Sequence, residues 1–218
     1  MRFHSYFNTA IKIIQSYDGS IPLSHFLKQY FSGNKKHGSK DRKFITHACY
    51  SYFRPGHALE KLQIEERLKT AIFLCNETAE GWSVLYDEDW LKNWSNSLDE
   101  RISFIKSTHS SFSLDDVFRF TSELSEGIET TSFVQSHLVQ PDVFLRIRPH
   151  CCEQVLETLR QNAIPFTLEG DDCIRLRPNI NVEKFLKLDK EVVVQDSSSQ
   201  QLKKYLELVQ PKILNPKS

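Results

Sequence analysis

The hydrophobic period changes once along this chain, at Pro141, and that change dictates helices before it and strands after it. Phe3, Phe7, Ala10, Ile14 and Tyr17 recur at helical spacing until Asp18-Gly19 stops the run. Pro22 suits a first helical turn, and Leu23, Phe26, Leu27, Tyr30 and Phe31 give the apolar face of a second helix that ends at Gly33. Ser39 is expected to N-cap a third helix, which stops before Pro55-Gly56. A fourth is expected over Glu65–Glu77, with Leu68, Ile72 and Cys75 on one side. Shorter helical stretches are expected at Leu98–Ser107, Ser113–Ser125 and Thr130–His137.

After Pro141, Val143–Arg148 alternates apolar and polar residues, as a strand does. Cys151–Asn162 is amphipathic, with Val155, Leu156 and Leu159 on one face. Ile164–Leu168 is a short strand, which Pro165 places at a sheet edge. Cys173–Arg177 alternates again after the Asp171-Asp172 turn. Val182–Leu186 is a short helix, Glu191–Val194 a strand and Ser197–Val209 a final helix. Leu145-Arg146-Ile147-Arg148-Pro149 resembles Ile174-Arg175-Leu176-Arg177-Pro178, two strands built alike. The expected class is α+β: a helical bundle at 1–126, a linker at 127–141, and a small α/β sandwich of ferredoxin-like kind at 142–218.

With 218 residues, 39% hydrophobic and 26% charged, the chain has an ordinary globular composition. Its apolar runs are shorter than the roughly 18 residues of a membrane helix, and its start reads as no secretory signal. Five cysteines form no disulfide-like framework, so a reducing cytoplasm is the expected compartment. Charge is unevenly placed despite a net of zero. Residues 28–54 hold seven Lys/Arg against Asp41 alone, whereas residues 77–135 hold twelve acids against four bases.

Cofactor and metal motifs are weak. Gly33-Asn34-Lys35-Lys36-His37-Gly38-Ser39-Lys40 nearly spells a phosphate-binding loop, but Ser precedes Lys and the loop follows a helix rather than a strand. The seven glycines form no Gly-x-Gly fingerprint, so no nucleotide-type cofactor is expected in this chain. His150-Cys151-Cys152 lacks the Cys-x-x-Cys needed to complete a zinc site, and packing is the better reading of all five cysteines. No Gly-x-Ser-x-Gly turn or other nucleophile–base pattern stands out, so no catalytic residue is assigned.

Two basic surfaces remain. At about 100° per residue, Lys40, Lys43, His47 and Arg54 fall within about 60° of one another on the third helix. Ile45, Ala48, Cys49 and Tyr52 take the opposite side, and Lys35, Lys36 and His37 extend the patch into the preceding loop. Phosphate binding and a solvated helix face are both open readings. On the first strand Phe144, Arg146 and Arg148 share one face; Arg175 and Arg177 share one face of the later strand. If the apolar sides meet the helices, four arginines and a phenylalanine line an open sheet face suited to single-stranded RNA. Ion pairing with Glu153, Glu157, Glu169 or Asp171 is the alternative.

Three stretches resemble the front half of the Sun-type RNA 5-methylcytosine methyltransferases. They are His37–Ile45 continuing through Tyr50–Arg54, Pro141–Pro149 with the helix Glu153–Leu159, and Val193-Val194-Gln195-Asp196-Ser197-Ser198-Ser199-Gln200. The resemblance implies that the first part is a NusB-like helical domain and that the chain binds and positions RNA, ribosomal RNA being the expected class. It also implies that an S-adenosylmethionine-dependent catalytic domain, a further partner of these residues, would follow Ser218. The family's catalytic cysteines include one in a Pro-Cys pair, and none of the eight prolines here precedes a cysteine. In this type of reaction a thiolate adds at C6 of an unstacked cytosine so that C5 can accept a methyl group. A stand-alone NusB-like RNA-binding module and a protein-interaction adaptor using the acidic middle region are the competing expectations.

Overall fold

The computed structural model describes residues 2–178 and 180–202. The protein mixes helices with one four-stranded antiparallel sheet and so is α+β. It divides into two compact units, Met1–Gln140 and Pro141–Ser218.

The first unit is helical: α1 (Arg2–Ser16), α2 (Leu23–Gly33), α3 (Ser39–Phe53), α4 (Ile64–Cys75), α5 (Glu88–Lys92), α6 (Leu98–Thr108) and α7 (Thr130–Ser136). The apolar stripes meet in one core that includes Ile13, Ile45, Ala48, Leu68, Ile72 and Phe73, all without solvent exposure. Ser39 is the first residue of α3 rather than its cap. Gly38 takes the cap position, and its N–H donates to Asp41 Oδ2 at 3.0 Å. Asp41, three residues beyond the cap, performs the returning half of a capping box and also faces the helix dipole favourably. It accepts a second hydrogen bond from the Tyr6 hydroxyl, which ties α3 to α1.

Two regions differ from expectation. Residues 113–125 form only 3₁₀ turns at Leu114–Val117 and Thr121–Glu123. The carbonyl of Asp116 accepts the His57 N–H at 3.0 Å, which holds this stretch against a neighbouring turn. This contact comes from the Pro55-Gly56 turn, where Gly56 has φ +54° and lies directly on the Val117 carbonyl. Residues 77–97 are more ordered than their pattern suggests. They form a 3₁₀ turn at Ser83–Leu85 and the short α5, whose N-cap Asp87 accepts the Trp90 N–H at 3.2 Å. Trp90, Trp94 and Phe104 meet Phe73 with ring centroids 5.0, 5.0 and 5.4 Å away.

Side chains close the C-terminus of α4, whose last carbonyls have no helical partner. Asn76 Nδ2 donates to Ile72 O, Trp94 Nε1 to Asn76 O, and Arg101 Nε to Leu74 O. Arg101 also donates to Ser95 O and is buried, so carbonyl dipoles rather than a carboxylate hold its charge in the core. The segment expected as a linker carries α7, and Val134 and Leu138 enter the first unit's core.

The second unit runs β1 (Val143–Ile147), α8 (Cys152–Gln161), β2 (Phe166–Leu168), β3 (Cys173–Leu176), a 3₁₀ turn at Val182–Lys184, and β4 (Val192–Val194). The strand order is β2-β3-β1-β4, each neighbouring pair antiparallel. β2 lies at an edge, where Pro165 costs no ladder hydrogen bond. Leu145, Ile147, Ile174, Leu176 and Val192 pack with Val155 and Leu159 of α8. The short helix expected at 182–186 is a single 3₁₀ turn, which still buries Val182 and Leu186. α8 ends with Ala163 at φ +51°, where the Ile164 N–H reaches Leu159 O at 2.9 Å. The last expected helix is helical over 197–202; its positions 203–209 lie outside the described residues. Among the described residues, no helix is long and apolar enough to cross a membrane.

Candidate nucleic-acid interface

The α3 stripe divides into two chemically different halves. Lys40 and Lys43 are exposed, as are Lys35 and Lys36 in the loop before the helix. Among the described residues none of these four ammonium groups has a carboxylate within ion-pair distance. Asp41, the acid nearest in sequence, is occupied by Tyr6 and the Gly38 N–H. Those hydrogen bonds hold its carboxyl below the usual range and keep it ionised as a cap.

His47 and Arg54, at the other end of the stripe, are structural. His47 Nε2 lies 2.6 Å from Asn76 Oδ1, within the group that closes α4. Burial pulls its imidazole below the ordinary histidine value, and Arg54 and Lys43 push the same way. It is therefore a neutral packed histidine at neutral pH. Arg54 Nη1 donates to Val139 O at 2.8 Å and to His137 O at 3.4 Å, which fastens the chain after α7 to α3. His37, read as part of the patch, is buried edge-on against Phe31. In its place Tyr50, two turns beyond Lys43 on the same helix, is 36% exposed.

On the sheet, register places the expected side chains together. Phe144 pairs with Arg175, and Arg146 pairs with Cys173 on one side and Val193 on the other. These residues alternate with the core residues Leu145, Ile174 and Leu176, so they share the face away from α8. Arg148 and Arg177 follow directly after β1 and β3. The face is not an open row of free arginines. Arg175 Nε donates to Asp142 Oδ2 at 2.6 Å, and its Nη1 lies 3.5 Å from Glu169 Oε1. Arg148 is half-buried, and its Nε is buried without a hydrogen-bond partner. Cys173 is only 5% exposed although it lies outside the core cluster, and the Gln200 side chain, from the helical segment 197–202, lies within hydrogen-bonding reach of its thiol.

The remaining polar clusters carry no visible chemistry. Thr70 Oγ1 is 3.4 Å from His109 Nε2, and His109 Nδ1 is 3.8 Å from Glu66 Oε1. This hydroxyl–imidazole–carboxylate order resembles a nucleophilic triad, but Thr70 is fully buried and no substrate can reach it. The cysteines are free thiols, and burial pushes Cys49 and Cys75 up to about 12, far from a reactive thiolate. Among the described residues, no group of three His, Cys, Asp or Glu side chains is placed to hold a metal ion.

No protein-family model matches the chain, and no curated protein matches it in sequence.

Proposed function

We propose that this chain is an RNA-binding and substrate-positioning region, of the kind that precedes the catalytic domain in Sun-type RNA cytosine-5 methyltransferases. The observation that carries the reading is the set of four exposed lysines, Lys35, Lys36, Lys40 and Lys43, with no intramolecular counter-charge among the described residues. A polyanion gains most from cations that are not already paired, because no internal ion pair has to break and condensed counterions are released. Tyr50 on the same helix adds a ring on which an unpaired base can stack.

The architecture supports the finer reading. The described elements of the first unit are all helical, as a NusB-like domain requires. The strand order β2-β3-β1-β4 with a helix between β1 and β2 is that of a ferredoxin-like split βαβ, its second helix reduced to a 3₁₀ turn. In this reading the parent protein methylates ribosomal RNA in the cytoplasm. S-adenosylmethionine binds in the catalytic domain, and the present residues bring RNA to it.

Fluorescence anisotropy of a labelled single-stranded RNA, titrated with the intact chain at several salt concentrations, tests the proposal. Saturable binding whose log affinity falls linearly with log salt is expected. Binding that is absent at low salt, or indifferent to salt, would remove the basis of the reading and favour a protein-interaction role.

A further inference from the structure

We propose that residues 195–200 form a strap that closes the arginine face of β1 and β3, and that this face takes single-stranded RNA only when the strap lifts. The inference rests on the RNA-binding reading above and concerns how one of its surfaces is regulated.

Three independent features place the strap there. Register puts Cys173 beside Arg146 on the face away from α8, where a strand residue of a two-layer unit should meet solvent. Cys173 is nevertheless 5% exposed, and the Gln200 carboxamide reaches its thiol. The strap leaves the sheet beside Phe144: the Gln195 N–H donates to Phe144 O at 3.1 Å, extending the ladder between β4 and β1 by one residue. It then folds over itself, with Gln200 Nε2 donating to Gln195 O at 2.8 Å and the Gln200 N–H to Asp196 O at 3.1 Å.

The closure is imperfect in a way that favours opening. Gln195 Oε1 and Gln200 Oε1 are both buried without a hydrogen-bond partner. Each such atom loses its hydration on closing and regains a partner on opening. The strap's one acid, Asp196, is exposed and makes no ion pair with Arg146. Arg175 is already paired with Asp142 and Glu169, so Arg146 is the guanidinium this opening would offer to phosphate. Phe144 and Arg146 then stand next to each other along β1 as a ring and a guanidinium plane, a pairing that suits stacked, unpaired nucleotides.

A disulfide lock tests this in the intact chain. Gln200→Cys places a thiol against Cys173, in a Cys151→Ser, Cys152→Ser background that removes the exposed Cys152 and its half-buried neighbour from the same unit. Oxidation should join residues 173 and 200 and hold the strap closed. Affinity for a short unstructured polyuridine should then fall about tenfold, the scale of losing one stacked base and its neighbouring contacts. Reductant should restore it in the same polypeptide, which controls for folding. Arg146→Ala should weaken binding in the reduced form and change nothing in the oxidised form. Failure of the disulfide to form would show that the strap does not lie on Cys173. Equal affinity in both redox forms, or an Arg146→Ala effect indifferent to the lock, would overturn the gate while leaving RNA binding intact. Absence of binding in the reduced form as well would instead sink the RNA reading itself. As a second readout, alkylation of Cys173 in the unmodified chain should lag that of exposed Cys152 and accelerate in Gln200→Ala; equal rates would count against the strap.

Discussion

The two halves of the α3 stripe should respond oppositely to mutation. Consider Lys40→Gln with Lys43→Gln, compared with Arg54→Gln alone. If Lys35, Lys36, Lys40 and Lys43 each neutralise one phosphate of a single strand, the log–log salt slope is about −2.8, at about 0.7 per contact. Between 50 and 200 mM salt, the intact chain then loses about fiftyfold in affinity, and the double lysine variant about sevenfold. Both lysines are exposed and make no ion pair with any described residue, so melting should move by less than about 0.5 kcal/mol. Arg54 should do the reverse. It donates charge-assisted hydrogen bonds to Val139 O at 2.8 Å and His137 O at 3.4 Å. Losing them costs about 1.5–3 kcal/mol, a drop of about 3–12 °C in the first unit. Its salt slope should stay near that of the intact chain.

The assay has a convenient reporter, because all three tryptophans (Trp82, Trp90 and Trp94) lie in the first unit. Tryptophan fluorescence therefore follows the melting of that unit alone, and anisotropy with labelled RNA gives the slope. If the double lysine variant keeps the fiftyfold salt sensitivity, the stripe is a solvated face and the reasoning is refuted. If Arg54→Gln flattens the slope without lowering the melting temperature, the division of the stripe is wrong.

Three further outcomes follow from local geometry. Gly56→Ala should cost about 3 kcal/mol or more in denaturant unfolding, because φ is +54° and a Cβ would lie 2.2 Å from Val117 O; a loss below about 1 kcal/mol would mean the turn relaxes freely. Ala163→Gly should stabilise the second unit by about 0.5–1 kcal/mol, since Ala163 holds φ +51° at the end of α8; destabilisation by circular dichroism would contradict the helix-end geometry. His47 has a depressed pKa in the folded state, so the unfolded chain binds its proton more readily: its contribution is intact above about pH 6.5 and is lost as pH falls below that value. The melting temperature of the first unit should therefore decline on acidification from pH 7, and His47→Gln should blunt that decline; an unaltered pH profile would place the effect elsewhere.

The sequence pattern carried most of the helices and the buried face of each strand, because both follow from local periodicity. It placed Leu145, Ile147, Ile174 and Leu176 against the helices, and the strands do bury them. It placed β2 at an edge through Pro165. Periodicity could also put Lys40, Lys43, His47 and Arg54 on one helix face, but it holds no information about what lies across from each residue. Arg54 is claimed by carbonyls more than eighty residues later in the chain, and His47 by Asn76 at the end of a neighbouring helix. A retrospective signal exists for Asn76 alone, since Asn directly after a helical run is a common helix stop. For residues 113–125 the pattern overcalled helix, and the bond from the His57 N–H that holds this stretch is tertiary.

The sheet face shows the same limit more sharply. Alternation says that Phe144, Arg146 and Arg175 point away from the core, and the burial of their neighbours agrees. Alternation cannot say whether that direction is solvent. Two things intervene: Asp142, one residue before β1, and Glu169, one residue after β2, converge on Arg175, while the Gln200 side chain lies beside Cys173. The acids flank strand ends, where turns bring the termini of adjacent strands together, so a pairing search restricted to strand neighbours would have found them. The glutamines lie beyond the last strand, and their polar character reads as a surface helix. A buried thiol on the outward face is the physical sign that such a helix is packed down. Charge on a sheet therefore locates a candidate nucleic-acid surface, and the burial of its uncharged neighbours decides whether that surface stands open.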